Sequence, residues 1–600
     1  MTYRAPVADI AFALKHAARF AQARADGVYD LDDDVLDAVL EEAGKFASDV
    51  IAPLNRVGDE HGSVLKNGNV TTPPGWKDAY TGWAAAGWNG LASPEPWGGQ
   101  GLPHAVNAAC IEMWNSGSMA FGIGPVLTMA AINALAQHGT EALKATYLPK
   151  LISGEWMGTM QLTESQAGSD VGALRTKAER AGDGSYRITG SKIFITYGEH
   201  DLTDNIIHFV LARLPDAPAG TRGISLFLVP KFLLEADGTI GARNDVRAHS
   251  VEHKLGIHAS PTCTMVFGDN GGATGFLVGE ENRGMHCMFT MMNEARLAVA
   301  LQGVAIAETA TQQATAYARE RRQGHALGHA AGAPGKESSA IIEHVDVRRM
   351  LMSMRTLTRA ARAICYSVAV AIDRSARAGD ETARKAAHER ASLLTPVAKA
   401  FATDIGSEVA SLGVQVHGGM GFVEETGAAQ HLRDARITSI YEGTTGIQAN
   451  DLMGRKVAAE KGATAKAVIA QMREFNRQLG VSEHPALASI HRSLSAGIDA
   501  LAEATEWLLA TYPSNPAAAG AGAVPYLKLW GTVAGGWQMA RAAAIAKQRL
   551  DEDAEDFDFY RAKIGTARFF AEHILPHAAA YKAAIVTGSH STLALEVDQL

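Results

Sequence analysis

The chain has 600 residues, 47% hydrophobic and 20% charged, a composition typical of a soluble globular protein with about four structural units. Its 55 basic and 64 acidic residues give a formal net charge of −9, which offers no reason to expect nucleic acid or an anionic membrane as a partner. No apolar run approaches the ~18 uninterrupted residues of a membrane span, and the N-terminal apolar stretch is too short for a signal peptide. The four cysteines form no CxxC pair, so we expect free thiols in a reducing cytoplasm and no metal site.

Helical spacing dominates the first quarter of the chain. Apolar residues recur at helical intervals in residues 31–60, and residues 104–155 have the same character. The segment at residues 93–103 is interrupted by Pro and Gly and is therefore predicted to be irregular. These patterns predict an N-terminal arm and helical domain over residues 1–155.

The pattern changes to short β-rich runs near residue 156. Turn residues such as those at 183–184 separate these runs, which together predict a compact β domain over residues 156–281. The clearest runs are residues 186–196, 206–212, 223–229 and 262–267.

Helical character returns at about residue 282 and predicts a helical domain over residues 282–460. A Gly/Ala/His loop interrupts it, and its two histidines, His325 and His329, have no carboxylate or cysteine at ligand spacing. A solvated loop is therefore favoured over a metal pair. Residues 465–600 are Ala-rich and helical without a catalytic constellation, so we predict an additional helical domain there. The order helical, β, helical, helical predicts an α+β, mostly α, fold.

Three segments contain residue types suited to close contact with a cofactor. Residues 160–170 combine hydroxyls with small residues, which lets the backbone approach a flat or anionic ligand. Residues 192–198 form a strand with Phe194 and Thr196 on one side by alternation. Residues 415–422 hold three glycines in four positions. Ordinary alternatives are a Ser/Asp-rich connection, the core of a β domain, and a helix C-cap followed by a turn.

A fourth segment, residues 440–448, places Glu442 in a turn rich in Thr and Gly. No helical salt-bridge partner explains this carboxylate. A role at the start of a helix, where a negative charge is favourable, is the alternative, and it is compatible with a catalytic one.

In this order and spacing, the four segments resemble the acyl-CoA dehydrogenase family. The match extends to residues 94–99, 293–296 and 318–322 and covers roughly residues 36–456. The chain length, the helical tail and the sequence Tyr-Glu-Gly-Thr-Thr-Gly are similar to the long bacterial branch of the family. That branch includes methylthiopropanoyl-CoA dehydrogenases of dimethylsulfoniopropionate breakdown.

The resemblance implies the acyl-CoA dehydrogenase fold: an N-terminal helical domain, a middle β-barrel domain and a four-helix bundle. Here an extra C-terminal helical domain would follow. FAD would lie between the β domain and the bundle, with its adenine end reached by a neighbouring subunit. A homo-oligomer is therefore implied, and the extra domain favours a dimer.

The resemblance also implies a set of ligand-binding residues. Those implied to contact FAD are Met160, Leu162, Thr163, Gly168, Ser169, Phe194, Ile195, Thr196, Arg321, Gln415, Gly418, Gly419, Gly443, Thr444 and Thr445. Four of these would reach the FAD bound by the partner subunit: Arg321, Gln415, Gly418 and Gly419. Those implied to contact acyl-CoA are Ser169, Asn293, Arg296 and Tyr441. Three positions depart from the family pattern, because Ser165 replaces Pro, Phe194 replaces Trp and Gly446 replaces Gln.

The implied reaction oxidises an acyl-CoA thioester to the trans-2-enoyl-CoA, with Glu442 as the base. Glu442 would remove the α-proton while the β-hydrogen passes to the flavin as hydride, and an electron-transfer flavoprotein would accept the electrons. The implied acyl group is short, with 3-(methylthio)propanoyl as one candidate. A medium- or long-chain acyl-CoA dehydrogenase and an acyl-CoA oxidase stay open as alternatives.

A non-catalytic DNA-binding relative is a remote alternative. Such a protein needs a strongly basic C-terminal region, whereas residues 551–558 contain an acidic run. The charge of this region therefore argues against nucleic acid as a partner.

Overall fold

The computed structural model describes residues 3–327, 338–552 and 555–600. His329, in the predicted Gly/Ala/His loop, lies outside the described residues. Helices occupy most of the chain on either side of a strand-rich middle, which confirms the expected α+β, mostly α, fold. The α-helices are Val7–Phe12, Phe20–Ala25, Asp33–Phe46, Leu54–His61, Trp76–Ala85, His104–Gly117, Met119–His138, Glu141–Ile152, Gly284–Glu320, Val345–Arg377, Glu381–His417, Ala428–Ala435, Thr445–Asn450, Ala463–Leu479, Pro485–Thr511, Pro516–Ala521, Ala523–Asp551, Phe557–Phe569, His577–Thr587 and Ser589–Thr592.

Strands are concentrated between residues 156 and 278. The four predicted β-rich runs correspond to β5 (Tyr186–Thr196), β6 (Asn205–Arg213), β7 (Ile224–Pro230) and β11 (Thr262–Phe267). Sequence alternation did not reveal β3 (Trp156–Gln161), because every residue of that strand is buried and it has no solvent-exposed face. The strands are β1 (Val64–Lys66), β2 (Asn69–Thr71), β3 (Trp156–Gln161), β4 (Lys177–Arg180), β5 (Tyr186–Thr196), β6 (Asn205–Arg213), β7 (Ile224–Pro230), β8 (Phe232–Leu234), β9 (Ile240–Arg243), β10 (Val246–Val251), β11 (Thr262–Phe267) and β12 (Ala273–Val278).

The main sheet has eight strands. Its order is β10-β11-β5-β12-β7-β6-β3, and β4 pairs with both β5 and β6. Most neighbours are antiparallel, whereas β3 runs parallel to β6 with Trp156 opposite Asn205. This pairing brings the loop after β3 and the end of β5 into one part of the sheet, since Ile193 N donates to Thr163 O at 2.9 Å.

A short hairpin, β1–β2, lies inside the region predicted to be helical. Asn67 and Gly68 join its strands with φ angles of 53° and 79°, the pair of positive values that a two-residue type I′ turn requires. The Asn-Gly pair was therefore the sequence signal for this hairpin, and the helical prediction for residues 1–155 did not include it.

The chain forms two compact units. We call the first the bundle unit; it comprises Met1–Gly44, His104–Glu112 and Val299–Leu600. We call the second the sheet unit; it comprises Lys45–Pro103 and Met113–Ala298. Each unit therefore combines stretches that are distant in sequence.

Helix Met119–His138 has the length and hydropathy of a membrane-crossing segment, but 89% of its most apolar window is buried within the protein. It packs against β3 in the sheet unit. Gly158 permits this contact, because a Cβ at that position would lie 2.7 Å from the Ala131 Cβ. The apolar composition of this helix is thus what a core position requires.

Two glycines allow close packing of the long helices in the bundle unit. A Cβ at Gly303 would overlap the backbone of Ala402, and a Cβ at Gly406 would lie 2.8 Å from Gly303 O. The backbone of helix Glu381–His417, which contains Gly406, is therefore in direct contact with the backbone of helix Gly284–Glu320. The same helix holds Lys399, whose contacts are described below.

Candidate active site

The residues predicted to bind ligands fall into two groups, one in each unit. The sheet unit contains Met160, Leu162, Thr163, Gly168, Ser169, Phe194, Ile195, Thr196, Asn293 and Arg296. The bundle unit contains Arg321, Gln415, Gly418, Gly419, Tyr441, Glu442, Gly443, Thr444 and Thr445.

A buried ion pair joins the two predicted cofactor segments of the sheet unit. Lys192, in β5, is 0% exposed at its side chain and donates to Glu164 Oε1 at 2.8 Å and to Leu162 O at 3.1 Å. Glu164 also accepts hydrogen bonds from Arg175 N at 2.7 Å and from Thr176 Oγ1 at 2.6 Å. The loop after β3 is therefore fixed by a carboxylate that points inward, while Gly168 and Ser169 are exposed.

Burial alone would raise the pKa of Glu164, but the charge of Lys192 and the hydrogen bonds to this carboxylate lower it to about 2. Burial lowers the pKa of Lys192 to about 8 against the opposing charge of Glu164. Because the folded-state pKa of Glu164 is lowered, its ionisation stabilises the fold at neutral pH. That contribution is lost as pH falls from about 4.5 through about 2.

We expect Glu164→Gln to reduce the free energy of unfolding at pH 7, because Lys192 then stays buried without its carboxylate. The difference from wild type should shrink as the pH falls from about 4.5 towards about 2. Urea unfolding over that pH range measures it. Glu179→Gln, which changes an exposed carboxylate of β4, is the control. A wild-type advantage that is as large at pH 2 as at pH 7 would contradict the assignment.

Phe194 presents an aromatic ring at the surface of the sheet unit. Its side chain is 60% exposed and its φ is 59°, an unfavourable backbone conformation for an aromatic residue. A register shift lies here, since Ile195 pairs with Cys263 but Lys192 pairs with Met265. This bulge interrupts the simple alternation from which Phe194 and Thr196 were placed on one side.

The other predicted residues of the sheet unit differ in exposure. Met160 is buried near the end of β3, and Ile195 is buried in the sheet core, whereas Leu162, Thr163 and Thr196 are half-buried. On helix Gly284–Glu320, Asn293 is exposed and Arg296 is buried. These last two are three residues apart and so share one side of the helix.

The loop around Glu442 has a strained backbone. Glu442 has a φ of 55° and Gly443 a φ of 88°. Two consecutive left-handed residues, one of them not glycine, persist only where surrounding contacts enforce them, and such strain is concentrated at functional sites. Thr445 N donates to Ser439 O at 3.1 Å and closes the loop on itself.

Lys399 makes two of the hydrogen bonds that hold the Glu442 loop. Its Nζ is fully buried in helix Glu381–His417 and donates to Thr438 O and Gly443 O, each at 2.8 Å. Gln448, also buried, donates through Nε2 to Glu442 O at 3.1 Å. The Lys399 ammonium and the Gln448 amide therefore bind carbonyl oxygens that lie before and within the strained turn.

The residues that flank Glu442 are also fixed. Tyr441 donates its hydroxyl to Gln302, and burial, with the neighbouring charge of Glu442, raises the pKa of Tyr441 well above its usual range. Thr444 caps helix Thr445–Asn450 by accepting from Ile447 N at 3.3 Å. The predicted association of Glu442 with the start of a helix is thus present, two residues before the cap.

The glycine turn follows the end of helix Glu381–His417. Gln415, Gly418 and Gly419 are exposed, and Gly418 has a φ of 62°. The helix C-cap and turn considered as the alternative are therefore present. Arg321, just beyond helix Gly284–Glu320, is exposed as well.

Two residues central to this geometry were not singled out from sequence. Lys399 is a lysine within the apolar stretch at residues 393–402, an uncommon position that signals a buried partner. Lys192 has a comparable signal in a β-rich run. The carbonyls that Lys399 binds lie 39 and 44 residues further along the chain, so local spacing gives no indication of them.

Family models match successive parts of the chain. They are described as the acyl-CoA dehydrogenase N-terminal domain at residues 34–155, the middle domain at 159–270 and the C-terminal domain at 282–457. An acetyl-CoA dehydrogenase C-terminal-like model matches residues 466–596.

Similar proteins cover nearly the whole chain. A 3-methylmercaptopropionyl-CoA dehydrogenase of Ruegeria pomeroyi is 48% identical, with 99% of each chain covered. A butyryl-CoA dehydrogenase of Syntrophomonas wolfei is 37% identical, covering 91% of this chain and 90% of the relative. Among solved structures, an acyl-CoA dehydrogenase complexed with FAD from Bacillus anthracis has a TM-score of 0.75 at 20% identity, covering 93% of this chain and 89% of the other, a likeness of fold.

Proposed function

Because the chain belongs to the acyl-CoA dehydrogenase family, we propose that it binds FAD and uses Glu442 to oxidise a short acyl-CoA, with 3-(methylthio)propanoyl-CoA as the preferred substrate. The observation that supports a catalytic role for Glu442 is its strained loop, whose carbonyl oxygens accept hydrogen bonds from Lys399 and Gln448. The similarity to the Ruegeria enzyme over the whole chain supports the choice of acyl group.

Exposed residues within each unit suit different parts of FAD. Phe194 offers an exposed ring on which a flat heterocycle can stack. At Gly168, Gly418 and Gly419 a Cβ would meet no protein atom within 4 Å, so space for a ligand is open beside each backbone. Thr163 and Ser169 supply hydroxyls for polar parts of the cofactor.

When bound, FAD supplies the acceptor for the β-hydrogen of the acyl group. Glu442 removes the α-proton and holds it on its carboxylate. Lys399 and Gln448 keep the Glu442 turn in one conformation, so the backbone that carries the carboxylate does not have to be ordered during the reaction. Asn293 and Arg296 help to hold the acyl-CoA from their shared side of one helix.

A panel of thioesters tests the proposed substrate. We expect anaerobic addition of 3-(methylthio)propanoyl-CoA or butanoyl-CoA to bleach the flavin absorbance, and kcat/KM to fall as the chain lengthens towards hexadecanoyl-CoA. Stopped-flow absorbance with saturating and sub-saturating thioester separates binding from chemistry. An optimum at hexadecanoyl-CoA would refute the short-substrate assignment but leave the dehydrogenase reaction in place.

The electron acceptor separates a dehydrogenase from an acyl-CoA oxidase. We propose an electron-transfer flavoprotein as the partner, as the family resemblance implies. Steady-state assays with that protein and with oxygen, measuring its reduction and peroxide yield side by side, test this proposal. Stoichiometric peroxide with no benefit from the flavoprotein would favour the oxidase.

We further propose a homodimer in the cytoplasm. The expectation that the domain after residue 465 fills the space that other family members leave for further subunits favours a dimer over a larger assembly. Light scattering of the FAD-loaded protein measures the mass directly.

A further inference from the structure

Trp537, in helix Ala523–Asp551 of the bundle unit, carries two arginines on its ring. The guanidinium carbon of Arg541 lies 3.7 Å from the ring centroid, and that of Arg390 lies 5.2 Å from it. The sum of these two distances is the largest possible separation, so the two guanidinium carbons are at most about 9 Å apart. Trp537 is only 1% exposed, so its rigid ring fixes both cations in place.

No carboxylate balances these two charges. Arg390 donates to Gln471 Oε1 at 2.6 Å, and Arg541 donates to Gln538 Oε1 at 3.4 Å. Both acceptors are neutral amides, and neither arginine forms an ion pair within the part of the chain that the structure describes. The Nε1–H of Trp537 is also buried without an acceptor there. Around Trp537, the described residues therefore supply more N–H donors than hydrogen-bond acceptors.

Other buried arginines of the same unit are neutralised. Arg362 lies 2.6 Å from Glu112, and Arg359 lies 2.8 Å from Asp9. Partly desolvated positive charge is costly unless an anion accompanies it, and the protein supplies that anion at these two positions. At Trp537 no described residue supplies such an anion.

Arg19 is a further cation, and its charge acts on both arginines. It is exposed, and its φ of 66° places it in a left-handed turn before a short helix. Burial lowers the pKa of Arg390 to about 10, and the charges of Arg19 and Arg374 act in the same direction. Arg374 is already paired with Asp26 at 2.6 Å. Burial, followed by the charges of Arg390 and Arg19, lowers the pKa of Arg541 as well.

We propose that Arg390 and Arg541 form a binding site for the phosphate group of a small molecule. Planar guanidinium groups match the tetrahedral oxygens of phosphate with paired N–H donors, a geometry that lysine does not offer. Two positive charges exceed what a single carboxylate would neutralise, and a phosphate carries both more charge and more acceptor oxygens. Arg390 and Arg541 are both half-buried, so each side chain is still reached by solvent.

Equilibrium dialysis of the FAD-loaded enzyme against labelled inorganic phosphate in chloride buffer tests the site. We expect one phosphate per chain to be lost, or its affinity to fall about 10-fold or more, in Arg541→Gln and in Arg390→Gln. Arg549→Gln is the matched control, because Arg549 is an exposed arginine of the same helix whose partner is Glu552 at 3.4 Å. Flavin content and the melting temperature of each variant verify that it is folded.

Two competitors identify the source of the phosphate. Displacement of the label by CoA but not by dephospho-CoA assigns the site to the 3′-phosphate of a CoA ester, whereas displacement by neither assigns it to free phosphate. Equal phosphate binding by Arg541→Gln, Arg390→Gln and Arg549→Gln would overturn the proposal, as would a wild-type enzyme that binds none. The assay does not involve Glu442, so its failure leaves the proposed dehydrogenase reaction untouched.

Discussion

Glu442→Gln is expected to retain FAD and to lose nearly all of its acyl-CoA-dependent flavin bleaching. Glutamine has the shape of glutamate but cannot accept the α-proton. Removal of a positioned general base costs a factor of 10² to 10⁴, so we expect a fall in kcat of ~10³-fold. Rapid-mixing absorbance with 3-(methylthio)propanoyl-CoA measures the first turnover directly. Binding of the thioester should change little, because the backbone of the turn keeps its contacts with Lys399 and Gln448.

Glu503→Gln is the matched control for this experiment. Glu503 is an exposed carboxylate of helix Pro485–Thr511 that pairs with Lys582 at 2.8 Å. Its neutralisation should leave bleaching at the wild-type rate. Retention of most activity by Glu442→Gln would remove Glu442 from the reaction.

Lys399→Met is expected to lower kcat by ~10- to 100-fold, with a smaller change in KM. Methionine keeps most of the length of the side chain but leaves Thr438 O without its buried donor and Gly443 O with only the 3.3 Å contact from Gln448 Nε2. Each buried acceptor that loses its partner costs about 1–3 kcal/mol, which the strained turn can avoid by relaxing. A displacement of ~1 Å at the base is enough for a 10²-fold loss of rate. Lys399 is therefore a positioning residue, since it acts through the Glu442 loop.

Three measurements separate positioning from a general loss of structure. Lys385→Met, at an exposed position of the same helix, should behave as wild type. Gln448→Leu removes the neighbouring amide contact to Glu442 O and should lower kcat in the same direction by a smaller factor. If Lys399→Met retains FAD, melts normally and turns over at the wild-type rate, Lys399 has no part in positioning the base. If it fails to fold, the effect of Gln448→Leu on kcat decides the question.

The parts of the fold that follow local periodicity were predictable. Strand β5 coincides with the predicted run at residues 186–196, because one side of it alternates and turn residues bound it. The long helices after residue 282 follow from their apolar spacing. Strand β3 was not predictable by the same test, since it is buried on both faces.

The candidate site also has features that the sequence could predict and features that it could not. The turn at Glu442 was found because glycine, threonine and a lone carboxylate stand together in sequence. The pairs that hold the site, Lys192 with Glu164 and Lys399 with Gly443, are 28 and 44 residues apart, and no local rule connects them. The bulge at Phe194 was hidden for a related reason, because a bulge depends on the partner strand as well as on the strand that contains it.

The left-handed backbone at Phe194 has a consequence for cofactor affinity. The backbone at Phe194 is already held in this conformation by pairing with the neighbouring strand, so it has little freedom to lose when a ligand stacks on the ring. The free-energy cost of ordering this backbone is then met during folding. Binding of the cofactor therefore keeps more of its favourable free energy. Tight retention of a cofactor through many turnovers follows from such preorganisation, without any additional contact.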